Sequence, residues 1–212
     1  MADPKQKYYT KRGDVLVKNL RSRHFEAYYC ETKEEALSQA LELSPKGATV
    51  GWGGAMSAQQ IGLLDAMNAG EYNTIDRDKA PNPQEREKAM KSCLLADVFI
   101  TGANALSIDG QMVNIDGNGN RVAAIVYGPQ SVVVIAGMNK VTDSLEAAVI
   151  RARTVAAPMN KQRFALQTPC EITGVCGDCK SEGCICNQLL ITRNSQPAGR
   201  IKVILVGEEL GL

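Results

Sequence analysis

Histidine is almost missing from this chain of 212 residues, with His24 its single copy. That scarcity excludes zinc sites built on histidine pairs and the H-E-x-x-H metalloprotease helix. A Ser-His-Asp or Cys-His triad would have to use His24, which sits in His24-Phe-Glu-Ala-Tyr-Tyr-Cys30 and reads as a strand-edge residue. Charge of one sign is missing too: 24 Lys plus Arg against 23 Asp plus Glu leave a net charge of +1. So even a balance gives no electrostatic reason to expect nucleic acid or an anionic membrane as partner. No apolar run approaches the roughly 18 to 20 residues that cross a bilayer. The opening Met1-Ala-Asp-Pro-Lys-Gln-Lys lacks the apolar core of a secretory signal, so a cytoplasmic protein is expected. Internal repeats, low-complexity tracts and linkers are absent as well. The expectation is one domain over 1–212, with an N-terminal helical arm at 1–23 and a cysteine-rich segment at 168–187.

Strand and helix signals alternate. Residues 5–23 read as a helix and His24 to Cys30 as a strand. Thr32-Lys-Glu-Glu35 has the spacing of a capping box before an apolar face at Ala36, Leu37, Ala40, Leu41 and Leu43. A strand over Ala48 to Trp52, a helix from about Ser57 to Ala69, and a strand over Asn73 to Arg77 follow. A helix runs from Asn82 to Leu95, and Asp97 to Thr101 forms a buried strand. Between Gly102 and Gly128 a short strand is predicted at Gln111 to Ile115, with an apolar turn at Val122 to Tyr127. Ser131-Val-Val-Val-Ile-Ala136 is a continuous apolar run suited to the centre of a parallel sheet. Asp143-Ser-Leu-Glu146 opens a helix ending near Ala157, where Pro158 fits a break. Strands at Gln188 to Arg193 and Arg200 to Val206 close the chain. This alternation predicts an α/β fold, a mostly parallel sheet flanked by helices, carrying a C-terminal cysteine-rich insertion.

Two glycine-rich stretches are candidate ligand sites. Gly51-Trp-Gly53-Gly54-Ala-Met-Ser57 joins a strand to a helix, where unpaired N–H groups and close backbone approach suit an anion, with Ser57 as N-cap and hydroxyl donor. Met56 takes the third glycine position of G-x-G-x-x-G, and no Gly-Lys-Ser/Thr follows, so neither the dinucleotide fingerprint nor a Walker A loop is present. Asp116-Gly-Asn118-Gly-Asn120 fails as an EF-hand, with Arg121 where glycine is needed and Tyr127 where glutamate is needed. Asp109, Asn114 and Asp116 are expected at the carboxyl end of the sheet, either binding hydroxyls or holding the loop. Arg121 and Lys140 are the nearest cations.

The stretch Gly102-Ala-Asn104, Gly110, Asn114 and Gly117 resembles a motif of the sugar-phosphate isomerases related to translation initiation factor 2B subunits. Those read Gly-Ala-Asp, a glycine six residues on, then Asn-Lys-x-Gly. The resemblance implies the fold shared by ribose-5-phosphate isomerase, glucosamine-6-phosphate deaminase and CoA transferases. Asn104 replaces the acidic residue and Ile115 the lysine, which argues against isomerase chemistry. Ala48-Thr-Val-Gly-Trp-Gly-Gly-Ala-Met-Ser57 with Ile61-Gly-Leu-Leu64, Ala96 to Leu106, Asp109 to Val122 and Gly137-Met-Asn-Lys-Val141 together resemble the LUD-domain, or lactate-utilisation, family over about residues 7–212. That resemblance implies a part in oxidising L-lactate to pyruvate alongside iron–sulfur oxidoreductases, and supplies no catalytic residues.

Five of the seven cysteines lie within 17 positions: Cys170, Cys176, Cys179, Cys184 and Cys186. Such clustering in a chain without an export signal points to metal or redox chemistry. The spacing matches neither the ferredoxin pattern nor a paired C-x-x-C zinc ribbon, so an iron–sulfur cluster, zinc and metal-free redox thiols all stay open. Cys30 and Cys93 read as small buried apolar residues.

The leading expectation is a LUD-domain protein of lactate or 2-hydroxy-acid metabolism. It would bind a carboxylate or phosphate at Gly51, Gly53, Gly54, Ser57, Gly102, Asn104, Asp109, Gly110, Asn114, Asp116 and Gly117. The alternatives are a non-catalytic subunit of an iron–sulfur oxidoreductase and a phosphosugar- or CoA-binding enzyme.

Overall fold

The computed structural model describes residues 3–165 and 167–212. In chain order its helices and strands are α1 (Pro4–Ser22), β1 (Glu26–Cys30), α2 (Lys33–Glu42), β2 (Thr49–Gly53), α3 (Met56–Gln60), α4 (Leu63–Ala69), β3 (Asn73–Ile75), α5 (Pro83–Ser92), β4 (Val98–Gly102), β5 (Ala105–Ser107), β6 (Met112–Asp116), α6 (Asn120–Val126), β7 (Ser131–Gly137), β8 (Val141–Thr142), α7 (Leu145–Arg151), α8 (Ala157–Lys161), α9 (Pro169–Thr173), β9 (Gln188–Thr192) and β10 (Ile201–Val206).

Six strands form a sheet in the order β1-β10-β7-β4-β2-β3, every neighbouring pair parallel. The pleat sends successive side chains of β7 to opposite faces. Val132, Val134 and Ala136 join one apolar core with Leu16 and Leu20 of α1 and Ala124 and Ile125 of α6. Val133 and Ile135 join another with Ala36 and Ala40 of α2, Ala58 of α3, and Leu63 and Met67 of α4. Helices therefore cover both faces, which is why β4, β7 and β10 read as apolar runs and not as alternating strands. Asp97 accepts a hydrogen bond from the Thr49 N–H at 2.8 Å and pins the starts of β2 and β4 together.

A second sheet, ordered β8-β5-β6-β9, stands beside the first and pairs β5 with β6 and β6 with β9 antiparallel. The strand expected over Gln188 to Arg193 belongs here, not to the parallel sheet. Its alternation of exposed Leu189 and Ile191 with less exposed neighbours suits a one-sided antiparallel position.

Three local expectations are corrected. The apolar turn at Val122 to Tyr127 is the helix α6: Gly119 enters at φ +82°, and the Asp116 carboxylate accepts from the Arg121 and Val122 N–H groups at 2.9 and 3.2 Å, capping the first turn. The strand over Asn73 to Arg77 stops at Ile75, because Asp76 caps a 3₁₀ turn over Arg77–Lys79. The helix after Ser144 does not break at Pro158. It widens into a π turn over Ala152–Ala156 and resumes as α8, with the proline in the opening turn, where a missing N–H is tolerated.

Candidate functional site

The carboxyl ends of β2, β4 and β7 release the chain into Gly54 to Ser57, Ala103 to Asn104 and Met138 to Lys140. These loops open onto a cavity of about 480 Å³. Ligands of α/β proteins collect at such ends because the strand-to-loop turns there face a common crevice. Ile115 to Asn118, from the end of β6 onward, and Arg121 of α6 form a further wall.

The lining is strongly cationic. Arg77, Arg86, Arg121, Lys140 and Arg163 face it, against the carboxylates of Asp78 and Asp116. Asp116 is engaged by backbone: its oxygens accept from the N–H groups of Gly117, Arg121 and Val122. Among the described residues the buried Arg121 guanidinium meets no carboxylate. It donates to Asn104 Oδ1 at 2.8 Å and to the Ile115 carbonyl at 2.5 Å. Burial pulls its pKa below the usual arginine value. Arg77 Nε is buried without a hydrogen-bond partner among the described residues and stands 3.9 Å from Asp78 Oδ1, which bonds Arg86 at 3.3 Å. Burial lowers the Arg77 pKa as well.

Lys140 is 4% exposed, and its Nζ donates to the Ala103 carbonyl at 3.0 Å and meets Ser57 Oγ at 3.1 Å. Burial first, then the nearby Arg151 and Arg121 charges, brings its pKa down to about 7. Near neutral pH this lysine is therefore poised between amine and ammonium while touching a hydroxyl, as proton transfer requires. Gly211, at φ +63°, closes over the pair: a Cβ there would lie 2.6 Å from Ser57 Oγ and 2.7 Å from Lys140 Nζ.

The structure separates the residues singled out in the sequence. Gly54, Ser57, Asn104, Asp116 and Gly117 line the cavity. Ser57 is not the expected N-cap: α3 begins at Met56, so Ser57 lies inside its first turn and its hydroxyl is left for Lys140. Gly102 lies just behind, where a Cβ would come 3.2 Å from the Gly54 carbonyl, and Asn114 donates to the Gly102 carbonyl at 3.1 Å. Gly51 abuts Cys93 and Gly53 abuts Phe99, so both serve the packing beneath the loop. Asp109 and Gly110 lie away from the cavity lining. Asp109 is ion-paired with Arg23 at 2.8 Å, and Gly110 packs against the Asn19 backbone of α1. Arg77, Arg86 and Arg163 escaped the sequence reading, because in polar surroundings such as Asp76-Arg-Asp-Lys79 an arginine reads as surface charge.

Cys170, Cys176, Cys179, Cys184 and Cys186 all line a second cavity of about 280 Å³, which shares Ile115 and Ile185 with the first. All seven cysteines are free thiols, and Cys30 and Cys93 are buried. Among the described residues no three His, Cys, Asp or Glu side chains stand close enough to hold an ion as arranged. Burial and the facing sulfurs of Cys184, Cys170 and Cys176 push the Cys186 thiol up to about 12, whereas the Ser181 hydroxyl lowers the Cys179 pKa.

Residues 13–206 match the LUD domain. The chain belongs to the LUD-domain family. A DUF162 family protein from Deinococcus radiodurans, known from a crystal structure, superposes with a TM-score of 0.51 at 12% identity, covering 95% of this chain and 98% of its own. Similarity at that identity speaks to the fold alone. The eIF2B delta structure from Chaetomium thermophilum aligns at 15% identity over 66% of this chain and 57% of that one, with a TM-score of 0.36. No curated protein matches the sequence. Among the described residues no helix is long and apolar enough to cross a membrane.

Proposed function

We propose that this LUD-domain protein binds a small anionic metabolite in the cation-lined cavity, and that the anion is a 2-hydroxy- or 2-oxo-carboxylate of the lactate and pyruvate class. The observation that carries the reading is the buried Arg121 guanidinium, with the partly buried Arg77 beside it. Among the described residues Arg121 has no carboxylate against its guanidinium, and Arg77 Nε has no hydrogen-bond partner, with Asp78 only at 3.9 Å. A buried charge without a counter-charge costs several kcal/mol. A bound carboxylate or phosphate supplies that counter-charge and accepts charge-assisted hydrogen bonds worth roughly 1.5 to 3 kcal/mol each. The choice of carboxylate class rests on the resemblance to lactate-utilisation proteins. A ligand carrying a hydroxyl or carbonyl beside its carboxylate would also find Ser57 and Lys140 within one cavity.

Isothermal titration with lactate, pyruvate, a phosphosugar and coenzyme A, each beside an uncharged analogue such as lactamide, tests this. The expected result is binding of lactate or pyruvate, none of lactamide, and a loss of about tenfold or more in Arg77→Met. Binding of the phosphosugar alone would keep the anion site and overturn the carboxylate assignment. No binding across the panel, or equal binding by Arg77→Met, would overturn the reading as a whole.

A further inference from the structure

The cysteine-lined cavity holds a buried amine that its own thiols leave without a partner. Lys161, the last residue of α8, is 0% exposed and lines this cavity, and its Nζ has no hydrogen-bond partner among the described residues. The one carboxylate in the lining, Asp178, is bonded to Arg153 at 2.5 Å. A buried polar group without a hydrogen-bond partner is costly enough that native structures nearly always give it one. Neutral thiols give it none, and a disulfide would also be neutral.

We infer that four of the five cysteines Cys170, Cys176, Cys179, Cys184 and Cys186 hold one metal centre through their thiolates, and that Lys161 compensates the negative charge of that centre. Binding a divalent zinc ion through four thiols releases four protons and leaves the site with a net charge of −2. A cubane of four irons and four sulfides held by four thiolates also stays anionic. Either gives the Lys161 ammonium the partner it lacks, which is what separates a metal–thiolate centre from free or disulfide-bonded cysteines.

The segment already directs donors at sulfur, as metal–thiolate sites do. Ser181 Oγ donates to Cys179 Sγ and the Cys186 N–H to Cys184 Sγ, both at 3.4 Å, and Thr168 Oγ1 lies 3.5 Å from Cys170 Sγ. Asp178, at φ +48°, turns the chain back between Cys176 and Cys179. The sulfurs ring the cavity without closing on a point, so coordination would draw the segment inward over Lys161. This inference does not depend on the anion cavity.

Metal and sulfide analysis of protein purified without oxygen, followed by zinc(II) and cobalt(II) titration of the chelator-treated protein, tests it. One zinc per chain, or four irons with four sulfides, supports the centre and tells the two apart. Four of the five single Cys→Ser variants are expected to lose the metal and one to keep it. Lys161→Met is expected to weaken zinc binding about 10- to 100-fold, and Lys161→Arg, which keeps the charge, to retain it. Should zinc be excluded by the analysis, the same variant is expected to lower the reduction potential of the cluster. Native protein without either metal, whose five thiols all titrate and whose chelator-treated form takes up no zinc or cobalt, overturns the inference. So does a Lys161→Met protein that holds its metal as the wild type does.

Discussion

Replacing Lys140 by methionine is expected to stabilise the protein at pH 6 and to destabilise it at pH 10. In the folded state burial brings the lysine from 10.5 down to about 7. At 1.36 kcal/mol per pKa unit, holding the charged form inside costs at most about 5 kcal/mol. The sign follows from proton counting. Between pH 7 and 10.5 the unfolded chain binds a proton that the folded one has released, so wild-type stability rises with pH across that window. Below pH 7 both states are protonated and the full cost is present; above 10.5 it is gone. Methionine removes the charge but leaves the Ala103 carbonyl and the Ser57 hydroxyl without their lysine contact, a loss of about 2 kcal/mol. The balance is a gain of about 3 kcal/mol at pH 6, or roughly 6 to 12 °C in melting temperature for a chain of this size. At pH 10 the balance reverses to a loss of about 1 kcal/mol. Urea melts of both proteins at the two pH values decide the matter. A variant destabilised equally at both would refute the claim that Lys140 carries a desolvated charge.

The same lysine links anion binding to protons: between pH 7 and 10 a bound anion should restore the Lys140 proton, so titrations in buffers of different ionisation enthalpy are expected to show uptake approaching one proton, and no buffer dependence would remove the link. Asn104→Asp would place a carboxylate where Oδ1 now accepts from Arg121, pairing that guanidinium and weakening anion binding about tenfold by titration. Gly54→Ala forces a Cβ to within 2.8 Å of Arg121 Cδ at a backbone φ of +59°. About 1 to 3 kcal/mol of stability by urea melt should go, together with anion affinity. Asp116→Ala removes the cap of α6 and is expected to cost about 1 to 2 kcal/mol by the same measurement.

The parallel sheet was legible because burial on both faces leaves short apolar runs, here rich in β-branched residues and bounded by turn signals. Ser131 to Ala136 is apolar at every position after the first, and the structure sends Val132 and Val133 into two different cores. Thr32 and Asn82 cap helices as their spacing implies, whereas the cap expected from Asp143-Ser-Leu-Glu146 falls one residue later, on Ser144. The helix α6 was not legible, since its cap comes from Asp116, several residues upstream across a Gly/Asn turn, and capping patterns are read at a distance of three. The π turn before Pro158 was invisible for a similar reason: a proline reports a missing N–H, and only the surrounding packing decides whether the helix stops or widens.

The site divides along the same line between local and distant causes. The glycine turn of Gly51 to Ser57 could be found because conformational freedom at a strand-to-helix junction is a local property, and Gly54 and Ser57 do reach the cavity. What gives the cavity its charge is not local. Arg77 comes from a 3₁₀ turn after the edge strand β3, Arg121 from α6, Lys140 from the end of β7, and Arg163 from beyond α8. Each is unremarkable beside its sequence neighbours, and the net charge of +1 conceals them. The excess exists only where the carboxyl ends of β2, β4 and β7 bring those elements together, and there it is sharpened by the burial of Arg121 and Lys140. Asp109 shows the converse: its place in a Gly/Asp-rich stretch made it a site candidate, yet the cation that chooses it is Arg23, 86 positions upstream, at the foot of α1. A balanced composition can therefore give no electrostatic reason to expect nucleic acid and still miss a cation-lined pocket, because a partner of that size responds to the charge of a whole face, whereas a carboxylate responds to a few groups within several ångströms.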